Sequence, residues 1–177
     1  MGNLSDYNGL IESIKEIIQD ARKKVARNVN IELIATYWKI GKTIVENEQK
    51  QRIDSKSSRQ IILSLSKVLA KELGKGFSRA NLFNMRKFYL EYPDVQTVSG
   101  QLTWSHYSEL LIIEEKSKRN FYAKETVNSL WSVRELKRQI DSSLYERLLL
   151  SKGKAQKEKI IDLAEKGQIL AKPEDVV

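Results

Sequence analysis

The chain has 177 residues, 41% of them apolar and 31% charged, and carries a formal net charge of +8. That suits one packed domain with an appendage, and the absence of cysteine excludes disulfides and thiolate metal sites and fits a cytoplasmic protein. The longest apolar run, Leu110-Leu111-Ile112-Ile113, is too short to span a membrane, and residues 1–6 lack the basic and apolar regions of a secretory signal.

Two prolines and eight glycines imply a helical protein with few tight turns. Residues 6–28 read as helix, because Leu10, Ile14, Ile17, Ile18, Ala21 and Val25 keep a three-and-four spacing. A second helical pattern fills residues 31–47, with Leu33, Ile34, Tyr37, Trp38, Ile40, Ile44 and Val45. Asn28 and Asn30 either separate two helices or lie within one long bent helix. Gly41 weakens a helix interior, so close packing against another element is expected there. Residues 48–58 are polar without a period and read as loop. The next helix is expected over 59–73, with Ile61, Ile62, Leu65, Val68 and Leu69 facing in and Gln60, Ser64, Lys67 and Lys71 opposite.

Gly74-Lys75-Gly76 stops that helix, since glycine adopts left-handed angles cheaply. Ser78 is a suitable N-cap for the following helix, with Phe77 and Leu82 as a hydrophobic staple. That helix runs to about Tyr92, ahead of Pro93. Ser105 can cap a helix over 106–115, and another spans 118–129. Ser132 and Glu135 form a capping box, with Trp131 and Leu136 as a second staple, opening a helix to about Leu150. A short charged helix is expected near 155–166, before a patternless tail over 167–177. Phe77-Ser78, Trp104-Ser105 and Trp131-Ser132 recur every 27 residues. Little besides the caps matches, so three similar helix starts explain them better than a repeat. The fold class is all-α: a multi-helix domain containing a helix-turn-helix-like unit, with a long N-terminal helical segment.

Charge is concentrated in that unit. Residues 56–90 hold eight basic groups, Lys56, Arg59, Lys67, Lys71, Lys75, Arg79, Arg86 and Lys87, against Glu72 alone, a net +7. A local cationic patch on a helix-turn-helix pattern points to a polyanion, nucleic acid above all. On a helical wheel, Arg79, Asn81 and Asn84 are the candidates for base contacts, since Arg suits guanine and Asn suits adenine. Lys67, Lys71, Lys75 and Lys87 are candidates for phosphate contacts. Arg86 projects to the apolar side and is expected to snorkel or pair with a carboxylate. A plain helical hairpin with a solvated lysine face is the competing reading.

Several segments resemble one bacterial family. Residues 28–44 carry Val29-Asn30, Glu32-Leu33, Tyr37-Trp38, Ile40-Gly41 and Ile44, similar to the "VNxELxxLYWxIGxxI" block of the YhcG-like (DUF1016) family. Gly74–Tyr89 resembles its "GxGFSxxNLxxMRxFY" block, and Leu102-Thr103-Trp104-Ser105-His106 its "LxWSH" block. Arg119-Asn120-Phe121-Tyr122 and Trp131–Leu136 resemble two more, in the same order. One departure is Ser57-Ser58, where many members have Tyr-Gly. The resemblance implies a helical DNA-binding domain over 1–150, placed ahead of a PD-(D/E)xK nuclease domain. Residues 151–177 would be a charged helix and tail leading to that nuclease domain, itself absent from this chain.

Catalytic readings are weaker. Pro93-Asp94 and Glu114-Glu115-Lys116 spell PD…ExK, but such nucleases bring these groups to a divalent metal from adjacent strands. Here Pro93 ends a helix, and Glu114 falls in the helix that Ser105 is expected to open. His106, the only histidine, has no ligand spacing around it, and no phosphate-binding glycine loop or nucleophile motif occurs. The aromatic residues fall at helical spacing or at staples, so core packing is their default role. The expected function is a non-catalytic DNA-binding module, with no metal or cofactor of its own, that targets a nuclease domain. The alternatives are a dimerisation or docking module acting through residues 6–47, and a stand-alone endonuclease using Asp94, Glu114 and Lys116.

Overall fold

A computed structural model describes residues 4–94 and 100–151. The expected helix near 155–166 and the tail lie outside the described residues. Among the described residues the protein is all-α, with seven α-helices, one 3-10 turn and no strand.

Helix α1 runs unbroken from Leu4 to Lys50, about 70 Å at 1.5 Å per residue. Asn28 and Asn30 do not interrupt it. The Asn30 amide donates to the Leu102 carbonyl at 2.8 Å, which satisfies the side chain without unwinding its own helix. The two halves of α1 differ. Every described residue from Tyr7 to Val29 is exposed, whereas Ile34, Gly41, Ile44, Val45 and Glu48 are buried. The first half is a lone helix projecting from the domain, and the second half is a central strut of the core.

Helix α2 (Ser55–Leu73) and helix α3 (Arg79–Glu91) are joined by a 3-10 turn, Lys75–Phe77. Ile44 of α1, Ile62 of α2 and Leu82 and Met85 of α3 form one core cluster. Helices α4 (Trp104–Leu110), α5 (Lys116–Asn128), α6 (Val133–Asp141) and α7 (Leu144–Ser151) build a second cluster with Ile34 and Phe88. Trp38 ties α1 to the end of α3, its indole N–H donating to the Tyr92 carbonyl at 2.6 Å and its ring meeting Tyr89 edge-on.

Several local expectations are corrected. Helix α2 begins at Ser55, because Asp54 caps it and residues 51–54 alone form the loop. Thr103 caps α4 instead of Ser105, and His106 returns the bond by accepting from the Thr103 backbone N–H. Ser132 does cap α6, accepting from Glu135 N–H at 3.2 Å. The Glu135 carboxylate does not return to the cap; it binds Arg138 and Gln139. The helix expected to continue to Leu150 breaks between α6 and α7, where Ser143 takes φ of 55°.

Candidate nucleic-acid interface

The α2–turn–α3 unit is held by caps at each joint. Asp54 Oδ1 accepts from the N–H groups of Lys56 and Ser57 at 2.8 and 2.9 Å, and Oδ2 accepts from the Ser57 hydroxyl. These bonds from Ser57, backbone first, hold the Asp54 carboxyl below its usual range. Ser58 is buried and donates to Glu48, so the serine pair that departs from the family pattern is part of the joint. Gly74 ends α2 at φ of 94°, where a β-carbon would be strained. Ser78 then caps α3, its hydroxyl accepting from Asn81 N–H.

The exposed cations lie where a polyanion could reach them. Lys67, Lys71, Lys75 and Arg79 are exposed, and Lys87 and Asn84 are half-buried. None of the four lysines is ion-paired among the described residues. At 100° per residue, Arg79 shares one stripe of α3 with Phe83 and Arg86, whereas Asn84 and Lys87 occupy another. The candidate base readers are therefore divided between faces. Asn81 is half-buried and already engaged: its Nδ2 donates to the Gly76 carbonyl at 3.0 Å, and its Oδ1 accepts from the Trp104 indole at 3.4 Å.

Arg86 behaves as its position on the wheel implies. Its guanidinium meets the buried Glu48 carboxylate, Nη2 to Oε2 at 2.8 Å, with Nε bonded to both oxygens. Burial alone would raise the Glu48 pKa, but the hydrogen bonds from Arg86 and Ser58 outweigh it and hold the carboxyl below its ordinary value. Glu48 lies in a stretch whose polarity reads as loop, so only its return contact with α3 discloses its role.

Two concavities flank α2. One, of about 370 Å³, is lined by Ser55, Ser58, Arg59, Arg79, Phe83 and Arg86. Arg59 was visible in the sequence as part of the charge patch, but its convergence with Arg79 was not. The other, of about 400 Å³, lies along Gln60, Ile61, Ser64, Leu65, Val68 and Leu69. Val68 is 53% exposed in it, so that residue does not face the core as its spacing implied.

The PD…ExK string is not brought to a strand-borne site. Asp94 follows the end of α3, Glu114 lies in the turn between α4 and α5 rather than in a helix, and Lys116 opens α5. No group of three or more His, Asp or Glu side chains able to hold a metal occurs among the described residues. His106 bridges Thr103 and the Trp131 carbonyl, a structural placement that joins two of the sequence blocks. No helix among the described residues is long and apolar enough to cross a membrane.

These features define an all-α domain with exposed cations on α2, on α3 and on the turn that joins them. The chain belongs to the DUF1016 family: the family's N-terminal domain matches residues 13–147. It is 36% identical over 186 aligned residues to a curated Escherichia coli (strain K12) protein named "Putative nuclease YhcG", an alignment covering 87% of this chain and 50% of that relative. The chain thus spans about half the length of the curated relative it matches. No solved structure matches it.

Proposed function

We propose that this chain is a DNA-binding module, itself non-catalytic, that places a PD-(D/E)xK nuclease domain on DNA in the cytoplasm. The observation that carries the reading is the set of exposed cations Lys67, Lys71 and Lys75 on α2 and its turn, none of them ion-paired among the described residues. Phosphate contacts by the lysines, with Lys87, would set affinity, and Asn84, on the open face of α3, would contribute base choice. Arg79 is better placed at the mouth of the arginine-lined cavity than beside Asn84. Asn81 contributes by holding the turn and Trp104. The relative named as a nuclease supports the wider assignment. Titration of labelled duplex DNA, single-stranded DNA and RNA at two salt concentrations tests it. Duplex binding that falls steeply with salt, and falls for every sequence in Lys67→Glu/Lys71→Glu, is expected. Equal binding by the reversed double variant at low salt would overturn the assignment of this face.

A second reading, compatible with the first, is favoured by the projecting half of α1. Tyr7, Leu10, Ile11, Ile14, Ile17, Ile18 and Val25 are each 46–69% exposed along it, a stripe that ordinarily seeks a partner helix. Glu12, Glu16 and Asp20, with Lys15 among them, occupy its first part, and Arg22, Lys23, Lys24 and Arg27 the next. Antiparallel pairing of two copies would set opposite charges side by side, whereas parallel pairing would align like charges. Sedimentation of the chain and of Ile14→Lys/Ile18→Lys tests this: a dimer that the double variant reduces to monomer is expected, and a monomeric parent chain would discard it.

A further inference from the structure

The starts of α2 and α3 converge on the cavity lined by Ser55, Ser58, Arg59, Arg79, Phe83 and Arg86, with no acidic residue among the described residues of its wall. Arg59 and Arg79 are exposed and have no ion-pair partner among the described residues. The Arg79 guanidinium lies over the Phe83 ring, 5.8 Å from its centroid, which directs the group without neutralising it. Arg86 gives Nε and Nη2 to Glu48, and among the described residues no hydrogen bond engages its Nη1.

The nearby carboxylates are already engaged, Glu48 by two residues of the cavity wall itself. Glu48 is engaged by Arg86 and Ser58, and Asp54 by the first-turn amides of α2. Neither α2 nor α3 has an acidic residue in its first turn. Arg79, at the first position of α3, sits at the positive end of the helix dipole, where a cation is unfavourable.

We propose that this cavity binds the phosphomonoester of a nucleotide, carried either at the end of a nucleic-acid strand or by a free mononucleotide. Two unpaired guanidiniums and the remaining Nη1 of a third match the three terminal oxygens and nearly double charge of a monoester at neutral pH. A phosphodiester within a strand offers one charge and two free oxygens, a poorer match. The cavity is larger than a phosphate alone requires, and Phe83 supplies an apolar wall for the attached sugar or base. The strand-end form rests on the DNA-binding reading above; the mononucleotide form does not.

The test uses the full chain. Anisotropy is measured with one duplex prepared with 5′-phosphate, 3′-phosphate or hydroxyl ends, and AMP binding is measured by calorimetry. A terminal phosphate is expected to tighten duplex binding about tenfold or more. Arg59→Ala/Arg79→Ala should erase that preference, because both side chains are exposed and their removal leaves the core intact. A terminal preference without AMP binding assigns the strand end, and AMP binding lost in the double variant assigns the free nucleotide; each supports the cavity. Absence of both effects, or effects that the double variant leaves unchanged, overturns it. A chain that ignores duplex DNA but binds AMP through these arginines would retain the cavity and refute the DNA-binding face.

Discussion

Gly41 of α1 lies directly against the backbone of Met85 in α3: a β-carbon on Gly41 would stand 2.0 Å from the Met85 carbonyl oxygen and 3.1 Å from Tyr89 Cβ. The obstacle is helix backbone, which cannot turn aside as a side chain would. Gly41→Ala must therefore separate α1 from α3, and a loss of about 1–3 kcal/mol or more is expected. Thermal unfolding followed by circular dichroism checks this, and Gly9→Ala, with nothing within 4 Å of the added carbon, is the control that should not lower the midpoint.

The Arg86–Glu48 pair is expected to matter more for stability than for binding. Arg86→Ala leaves an 8% exposed carboxylate facing the core edge, at a cost of about 2–3 kcal/mol after allowance for the half-exposed arginine. The pair also sets a pH dependence. Glu48 titrates below its ordinary 4.5 when folded, so its contribution is present above that value and is lost as the pH falls through the lower, folded one. In Glu48→Gln the acid-side loss of melting temperature should be smaller than in the parent chain.

Tyr122 joins three helices. Its hydroxyl donates to the Gln139 carbonyl at 3.1 Å and accepts from Tyr145 N–H at 3.2 Å, and burial pushes its pKa up to about 12. Tyr122→Phe preserves the ring but leaves a buried N–H at the start of α7 without its acceptor, at a cost of about 1–3 kcal/mol. Amide exchange should quicken at Tyr145 before it does in α3.

The proposed DNA face separates affinity from choice. Lys67→Glu/Lys71→Glu should lower the salt slope of log K by about 0.9 for each phosphate that is no longer neutralised. Asn84→Ala should instead narrow the gap between preferred and unrelated sequences, leaving the salt slope unchanged, as titrations against a panel of duplexes would show.

The limits of α3 were legible because they are local: Gly74 for the left-handed turn, Ser78 for the cap and Pro93 beyond the end. Gly41 announced a close approach because glycine in a helix interior requires a reason, though it could not say that Met85 is the neighbour. That Arg86 would either snorkel or pair with a carboxylate was legible from its side of the wheel. Its partner was not, since Glu48 lies 38 residues away in the chain within a stretch of loop-like composition.

The sequence by itself determined an all-α protein, the apolar stripes of its helices and the concentration of positive charge between Lys56 and Leu90. These follow from residue type and spacing along single helices. Only the tertiary structure decided that α1 continues past Asn30, because that amide is satisfied by a carbonyl far along the chain, and that the helix after Ser132 breaks at Ser143. No glycine or proline marks the break; the first turn of α7 gains its missing acceptor from Tyr122 of another helix. The same dependence on distant partners engages Asn81 with Trp104 and gathers Arg59, Arg79 and Arg86 around one cavity, which no spacing along a single helix encodes.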